Sequence, residues 1–340
     1  MAQTGLQQAL LDEMKRLVAF LQKGTDVGIR AGVIRATNVI NGTQIIYQWP
    51  GALPGGGDAL WESHYLRTLL AQCDALDLAA VDETYLPDDG GALHLRDVFT
   101  PLHLQWRGQL VTQRPGESAA KAIQRLFQQE KAPAKREQAL EKEDKSTPIP
   151  AVAAAAALPR LVILGYPGGG KSTLVNYLAA QLAARRLGQA QADDLPGWPD
   201  DARPLPVRII LRRFAAALPN RVLPDERAGL VWGYIEKQMA DWGCAESFAP
   251  LKQTLLAEGG VILFDGLDEV RETDADSRRS LIKEAIVAFA APLENCRVIV
   301  TCRDYAYEGD AEWRLPESQF PIFSLPLFGS SQPPEATAKP

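Results

Sequence analysis

A glycine-rich loop at residues 165–173 carries the residues of this chain that are best suited to bind a phosphate chain. Its sequence fits the pattern G-x-x-x-x-G-K-[S/T], in which backbone N–H groups surround the phosphates. Consecutive glycines let the backbone curl closely around an anion, because they have no Cβ atom. The residues that we expect to contact the nucleotide are Gly165, Tyr166, Pro167, Gly168, Gly169, Gly170, Lys171, Ser172 and Thr173.

Two side chains of this loop have specific chemical roles in such a pattern. The Lys171 ammonium would reach the β- and γ-phosphates as a point charge, and the Ser172 hydroxyl would be a ligand of Mg²⁺. The short apolar run 160–164 precedes the loop as a buried strand would, and residues 174–186 follow it with helix-forming residues. The chain is therefore predicted to bind a nucleoside triphosphate with Mg²⁺, and the sequence leaves the choice between ATP and GTP open.

An acidic cluster follows a second apolar run, Val261 to Phe264. Asp265 would stand at the carboxyl end of this buried strand, so we expect it to hold Mg²⁺ through water. Asp268 and Glu269 add two carboxylates near the expected position of the γ-phosphate. One of these two would orient the attacking water as a general base, and the sequence does not decide which.

A third group of polar residues, Thr301 and Arg303, follows the apolar run 297–300. Because the planar guanidinium fork matches phosphate oxygens, Arg303 at the end of a strand is expected to reach the γ-phosphate and to report whether it is present. The alternative is an arginine in a surface loop.

Apolar runs and helical stretches alternate throughout the second half of the chain. This order predicts an α/β fold of the P-loop NTPase type, with a parallel sheet, helices on both faces and ligands at the carboxyl ends of the strands. The predicted strands are 161–164, 207–211, 261–264, 297–300 and 322–325. The predicted helices are 172–186, 227–241, 248–258 and 277–292.

The first 157 residues differ in character from this alternating region. Residues 1–130 are predicted to be a small α+β effector or coupling region, with an amphipathic helix inside 1–24, a hairpin at 33–49 and helices at 60–76 and 118–129. Residues 131–157, which are charged and then rich in Ala and Pro, are predicted to be a linker. The NTPase core is placed at 158–328, and the Pro-rich residues 329–340 are predicted to be disordered.

Composition limits the classes of partner. The 340 residues carry a formal net charge of -6, which makes nucleic acid an improbable partner. No apolar stretch approaches the length of a membrane-spanning helix and residues 1–24 lack a signal-peptide pattern, so no membrane partner and a cytoplasmic location are predicted. The four cysteines have no metal-ligand spacing and are expected to be reduced, packed thiols.

Four segments of the sequence resemble the NACHT family of signal-transducing P-loop NTPases, the STAND class. They are GYPGGGKST at 165–173, PVRIILRRF at 206–214, VILFDGLDE at 261–269 and VIVTCRD at 298–304. The most specific is the last part of the third segment, in which Asp-Gly-x-Asp-Glu follows the strand. The similarity covers residues 158–328, and the stretch 65–104 is similar to the segment that precedes NACHT modules in bacterial proteins.

The resemblance implies a slow ATPase that works as a molecular switch. In such proteins ADP holds a closed monomer, and exchange for ATP drives oligomerisation through the NTPase domain and activates an effector, as in NLR-like signalling and bacterial defence. Family members continue into a helical lid, a winged-helix domain and often a sensor array. We therefore expect this chain to be truncated or split, with weaker nucleotide affinity and with the missing domains supplied by a separate sensor or winged-helix chain.

Two alternatives of different classes stay open. The first is a scaffold or interaction protein that retains the nucleotide-binding core but does not cycle. The second is an AAA+ motor or nucleic-acid helper ATPase, which would need a DNA-binding surface that the acidic composition disfavours. The trigger, the oligomer size and the output of residues 1–130 cannot be inferred from the sequence.

Overall fold

The structure is a computed structural model that describes residues 33–39, 42–48, 57–74, 94–131, 146–189, 195–219, 222–223, 226–270, 275–309 and 314–326. The chain divides into two compact units, Met1–Gly55 and Gly56–Pro340. The first unit contains the strands β1 (Val33–Val39) and β2 (Gly42–Gln48), which pair in antiparallel fashion with Val39 opposite Gly42. The predicted hairpin is therefore confirmed, and the predicted helix inside residues 1–24 lies outside the described residues.

The second unit is built on a sheet of seven strands in the order β4-β3-β11-β7-β10-β9-β8. Neighbours from β11 to β8 are parallel, whereas β3 and β4 are antiparallel additions at the β11 side. The strands of this sheet are β3 (Gln105–Trp106), β4 (Gln109–Leu110), β7 (Arg160–Leu164), β8 (Leu205–Ile210), β9 (Gly260–Asp265), β10 (Arg297–Cys302) and β11 (Ile322–Ser324). Two further strands, β5 (Thr112–Gln113) and β6 (Thr147–Pro148), pair with each other.

Helices flank the sheet, as the alternating pattern predicts. The described helices are α1 (Gly57–Asp74), α2 (Leu95–Val98), α3 (Ala119–Lys131), α4 (Ala151–Ala157), α5 (Lys171–Arg186), α6 (Leu211–Ala217), α7 (Arg227–Asp241), α8 (Phe248–Ala257), α9 (Ala275–Ala290) and α10 (Asp304–Gly309). The α/β class and the mainly parallel sheet are thus confirmed.

The central strands are buried because they consist of almost continuous apolar residues. Strands of a parallel sheet that is covered on both faces need such runs, because the side chains on both faces are shielded from water. All six residues of β9 are buried, and β7 and β10 are exposed only partly and only at their first residues. The predicted bounds of the strands and helices between residues 160 and 325 agree with the structure to within two residues, whereas the predicted helix 60–76 begins three residues earlier, at Gly57.

The boundary between the two units lies between residues 55 and 56, whereas the sequence predicts a linker at 131–157. Residues 105–110 extend the main sheet, Thr147–Pro148 forms a strand, and helix α4 is buried in the core. Helix α1 is also fixed to this unit, because the Tyr65 hydroxyl donates to the Pro206 carbonyl at 2.8 Å. The Glu62 carboxylate pairs with the Arg186 guanidinium at 2.6 Å. The described residues 57–74, 105–110 and 146–157 therefore belong to the same unit as the main sheet.

Two further predictions concern residues that the structure does not describe. Residues 132–145 of the predicted linker and 329–340 of the predicted disordered tail lie outside the described residues. Within the described part of the chain, no helix combines the length and the apolar character needed to cross a membrane.

Candidate nucleotide-binding site

The topology brings the three predicted groups of residues to one edge of the sheet. Strand β10 lies between β7 and β9 and is parallel to both. Cys302, the last residue of β10, is opposite Leu164, the last residue of β7, and Val300 is opposite Phe264. The glycine loop after β7, Asp265 at the end of β9 and the residues after β10 therefore start from the same edge. Ligands of open parallel sheets bind at this edge.

The glycine loop joins β7 to helix α5 with two residues in the left-handed backbone region. Gly168 has φ 73° and Gly170, which precedes the first helical residue, has φ 80°. A Cβ atom on Gly170 would also lie 3.0 Å from Cδ1 of Leu102. The backbone angle favours glycine at position 170, and a Cβ atom there would also displace the Leu102 side chain. The first N–H groups of α5 have no partner within the helix and can therefore face an anion.

The Lys171 ammonium lies inside the curve of this loop. Nζ donates to the carbonyl oxygens of Gly165 at 2.6 Å and of Tyr166 at 2.8 Å. Burial lowers the pKa of Lys171, and the nearby carboxylates of Asp268 and Asp304 oppose this shift. The partly buried ammonium is thus positioned at the glycine loop close to two carboxylates, of which the sequence predicts Asp268.

The Asp265 carboxylate accepts hydrogen bonds from two hydroxyl groups. Its Oδ1 atom accepts from Ser172 Oγ at 3.0 Å and from Thr301 Oγ1 at 2.9 Å. Thr301 Oγ1 also accepts from the backbone N–H of Gly266 at 2.9 Å. Thr301 is fully buried, and its hydroxyl joins the Asp265 carboxylate to the backbone of Gly266. The structure thus places Thr301 as a support of the Asp265 carboxylate.

Ser172 and Asp265 fit the requirements of a magnesium site. Mg²⁺ prefers oxygen ligands, keeps several waters and takes only one or two protein ligands beside phosphate oxygens. A hydroxyl and a carboxylate 3.0 Å apart, next to a phosphate loop, supply such a pair. Among the described residues there is no group of three or more His, Cys, Asp or Glu that could hold a metal by itself.

Asp268 makes a different set of contacts. Its Oδ1 atom accepts from the backbone N–H of Arg303 at 2.9 Å, and Oδ2 lies 2.9 Å from Nε of the same arginine. The Asp268 side chain is 6% exposed and the Arg303 side chain 37%. Arg303 Nη1 contacts the Tyr305 hydroxyl at 3.0 Å, and this hydrogen bond together with the Asp268 charge raises the pKa of Arg303.

Glu269 is less enclosed than Asp268. Both belong to a short 3-10 turn, Leu267–Glu269, that begins after Gly266 at φ 79°. The Glu269 side chain is 35% exposed, and Oε2 lies 3.8 Å from Nη1 of the exposed Arg212. A long contact to an exposed arginine leaves this carboxylate accessible to a small ligand such as water.

Two neighbours of the site were not predicted from the sequence. Leu102, from the segment before the core, packs against the phosphate loop at Gly170, and no sequence signal links these positions. Asp304 follows Arg303 directly; burial raises its pKa while Lys171 opposes the shift. The position of Asp304 one residue after a strand-end arginine was the only available signal.

No protein-family model matches this chain, and a search of curated proteins finds no match to it.

Proposed function

We propose that this chain is a magnesium-dependent, slow ATPase of the NACHT type whose nucleotide state controls its self-association. The observation that carries the proposal is the convergence of Lys171, the Ser172–Asp265 pair and Arg303 at one sheet edge. Loop N–H groups and the Lys171 ammonium would bind the phosphates. Bound Mg²⁺ would neutralise charge on the phosphate oxygens, and Ser172 and Asp265 would hold it.

The switch role rests on a difference between the two nucleotides. A ligand shifts an equilibrium between two conformations only when it binds one of them better. Arg303 stands where a γ-phosphate would make that difference, because ATP offers it phosphate oxygens that ADP lacks. The proposal also includes self-association through the core, a separate sensor chain and a cytoplasmic location.

Thermal unfolding in the presence of nucleotide tests the binding step. We expect Mg·ATP at 100 times its Kd to stabilise the protein by roughly 2.7 kcal/mol. Lys171→Ala should remove most of this stabilisation, whereas Lys237→Ala on the exposed surface of α7 should retain it. Wild-type protein with the same melting temperature with and without Mg·ATP would contradict the proposal.

Sedimentation velocity with ATP or ADP tests the coupling step. The switch predicts that Mg·ATP increases the sedimentation coefficient of the wild type and that Mg·ADP does not. A protein that binds Mg·ATP but sediments identically with both nucleotides would be a non-cycling scaffold. In that case Lys171→Ala would also leave its partner binding unchanged.

A further inference from the structure

The two carboxylates of the turn after β9 have unequal surroundings, although the sequence places them side by side. Both Oδ atoms of Asp268 are engaged by one residue, through the backbone N–H and Nε of Arg303. Its side chain is 6% exposed, which leaves little room for a water molecule in line with a phosphate. A general base must instead reach the proton that it removes at hydrogen-bond distance.

Arg303 is held on its other side as well. Its Nη1 atom contacts the hydroxyl of Tyr305, which lies in the first turn of α10 and is itself 61% exposed. With Nε directed to Asp268 and Nη1 to Tyr305, the guanidinium plane is fixed by two contacts. Neither the Asp268 nor the Tyr305 contact given by the structure involves Nη2, so the N–H groups of this atom can turn to an anion.

We propose that Asp268 is a positioning residue for Arg303, assisted by Tyr305, and that Glu269 is the carboxylate that orients the attacking water. This inference rests on the proposed ATPase function. A long arginine side chain loses rotamer freedom when it binds a phosphate, and a carboxylate that fixes it beforehand removes part of that cost. Donors that are already oriented also need no reorganisation when charge develops during phosphoryl transfer.

The contact with the backbone N–H makes Asp268 specific for this task. It ties the turn after β9 to the first residue after β10, so the carboxylate controls both the path of the chain at Arg303 and the direction of its guanidinium. The pairing of β10 with β7 and β9 brings this pair to the same edge of the sheet as the glycine loop, where burial lowers the pKa of Lys171, the Asp268 carboxylate opposes this shift and the Arg303 guanidinium adds to it. Asp268 therefore acts on the phosphate through the arginine.

Binding of Mg·ATP and of Mg·ADP, measured by calorimetry, separates positioning from water activation. We expect Asp268→Asn, which nearly preserves shape but removes the charge, to weaken Mg·ATP binding by roughly tenfold, as expected for loss of a hydrogen bond to a charged group. Mg·ADP affinity should stay as in the wild type. Arg303→Ala should give the same pattern, and the double variant should bind Mg·ATP no more weakly than Arg303→Ala alone.

Turnover measurements on Glu269→Gln complete the test. This variant should bind Mg·ATP as the wild type does and lose steady-state hydrolysis. Tyr305→Phe, at an exposed position that tolerates change, should weaken Mg·ATP binding by a smaller factor than Asp268→Asn and leave Mg·ADP binding unchanged. Asp241→Asn, an exposed carboxylate in α7, is the matched control and should change none of these quantities.

Several results would overturn the inference. Asp268→Asn with wild-type Mg·ATP affinity and lost turnover would make Asp268 the water-orienting acid. A tighter Mg·ATP complex in this variant would show that Asp268 competes with the phosphate for Arg303. Equal losses for ATP and ADP would indicate a general structural role. If the wild type itself does not bind Mg·ATP, the proposed ATPase function is wrong. If the wild type binds Mg·ATP and both Asp268→Asn and Tyr305→Phe bind it with the same affinity, only this inference is wrong.

Discussion

Two carboxylates only three positions apart, Asp265 and Asp268, have partners of different charge. Asp265 is buried, and the side chain of Asp268 is 6% exposed. Asp265 accepts hydrogen bonds from the hydroxyls of Ser172 and Thr301, which carry no charge, whereas Asp268 pairs with the Arg303 guanidinium. The donors to Asp265 are neutral, so this carboxylate is suited to bind a cation. Asp268 is paired with a cationic side chain, so this carboxylate is suited to hold Arg303 in place.

Strand β10 and the residue that follows it supply one partner to each acid. Thr301 and Arg303 are two residues apart, and β10 lies directly beside β9. Thr301 is within the strand and turns to Asp265, while Arg303 follows the strand and turns to Asp268. The contrast between the two regions therefore depends on the pairing of β9 with β10, and substitutions at four positions test it.

Asp265→Asn should have the largest effect. The amide keeps an oxygen for the Ser172 and Thr301 hydroxyls but lacks the charge, so we expect the Mg²⁺-dependent part of ATP affinity to fall about 10- to 100-fold, as for other residues that hold a metal through water. The same change should stabilise the nucleotide-free protein by roughly 1 kcal/mol, because an almost buried charge is removed. Calorimetry with and without Mg²⁺, and thermal unfolding without nucleotide, measure the two effects.

Asp268→Asn is the matched comparison for the stability effect. It removes the partner of a guanidinium that is still partly exposed, so the nucleotide-free protein should lose about 1 kcal/mol. The two neighbouring Asp-to-Asn changes thus shift the melting temperature in opposite directions. Equal shifts of the melting temperature in the same direction would contradict the proposed distinction between Asp265, which has neutral partners, and Asp268, which is paired with a cation.

Thr301→Val should have an intermediate effect that is confined to the Asp265 side. The valine has a similar shape but leaves the buried N–H of Gly266 without its acceptor, which costs about 1 to 3 kcal/mol of unfolding free energy. Thr301→Ser, which keeps the hydroxyl, should recover most of this loss. Chemical denaturation measures both variants. A Thr301→Val variant as stable as the wild type would show that the hydroxyl does not support the strand end.

Cys302 lies between the two partner residues and should have the smallest effect. Its thiol is buried, and burial raises its pKa, as it raises the pKa of Cys244 and Cys296 to about 11. Cys302→Ala should therefore leave ATP affinity and its Mg²⁺ dependence unchanged. Because raised pKa values leave little thiolate near neutral pH, a thiol reagent should not label the four buried cysteines before denaturation. Rapid labelling of native protein would contradict this packing.

The sequence predicted most of the second unit because its signals are local. The apolar runs of β7, β9 and β10 and the helical pattern of α5 each lie within a few residues, and each formed where it was predicted. The hairpin at 33–48 also formed, with Gly42 opening the second strand. The place of β3 next to β11 was not predicted, because two-residue strands carry almost no periodicity and their pairing joins distant parts of the chain.

What the sequence alone determined is the chemical inventory: a glycine-rich loop, a lysine, a serine, three acids and an arginine in a strand-helix order that collects them at one sheet edge. Only the tertiary structure decided which acid meets which partner. Asp265, Asp268 and Glu269 are chemically similar, and nothing in the sequence distinguishes their partners. The positive φ of Gly266 and the register of β10 direct Asp265 to two hydroxyls and Asp268 to Arg303, whereas Glu269 lies toward Arg212. Contacts between residues about 35 positions apart depend on that register, which local patterns do not encode.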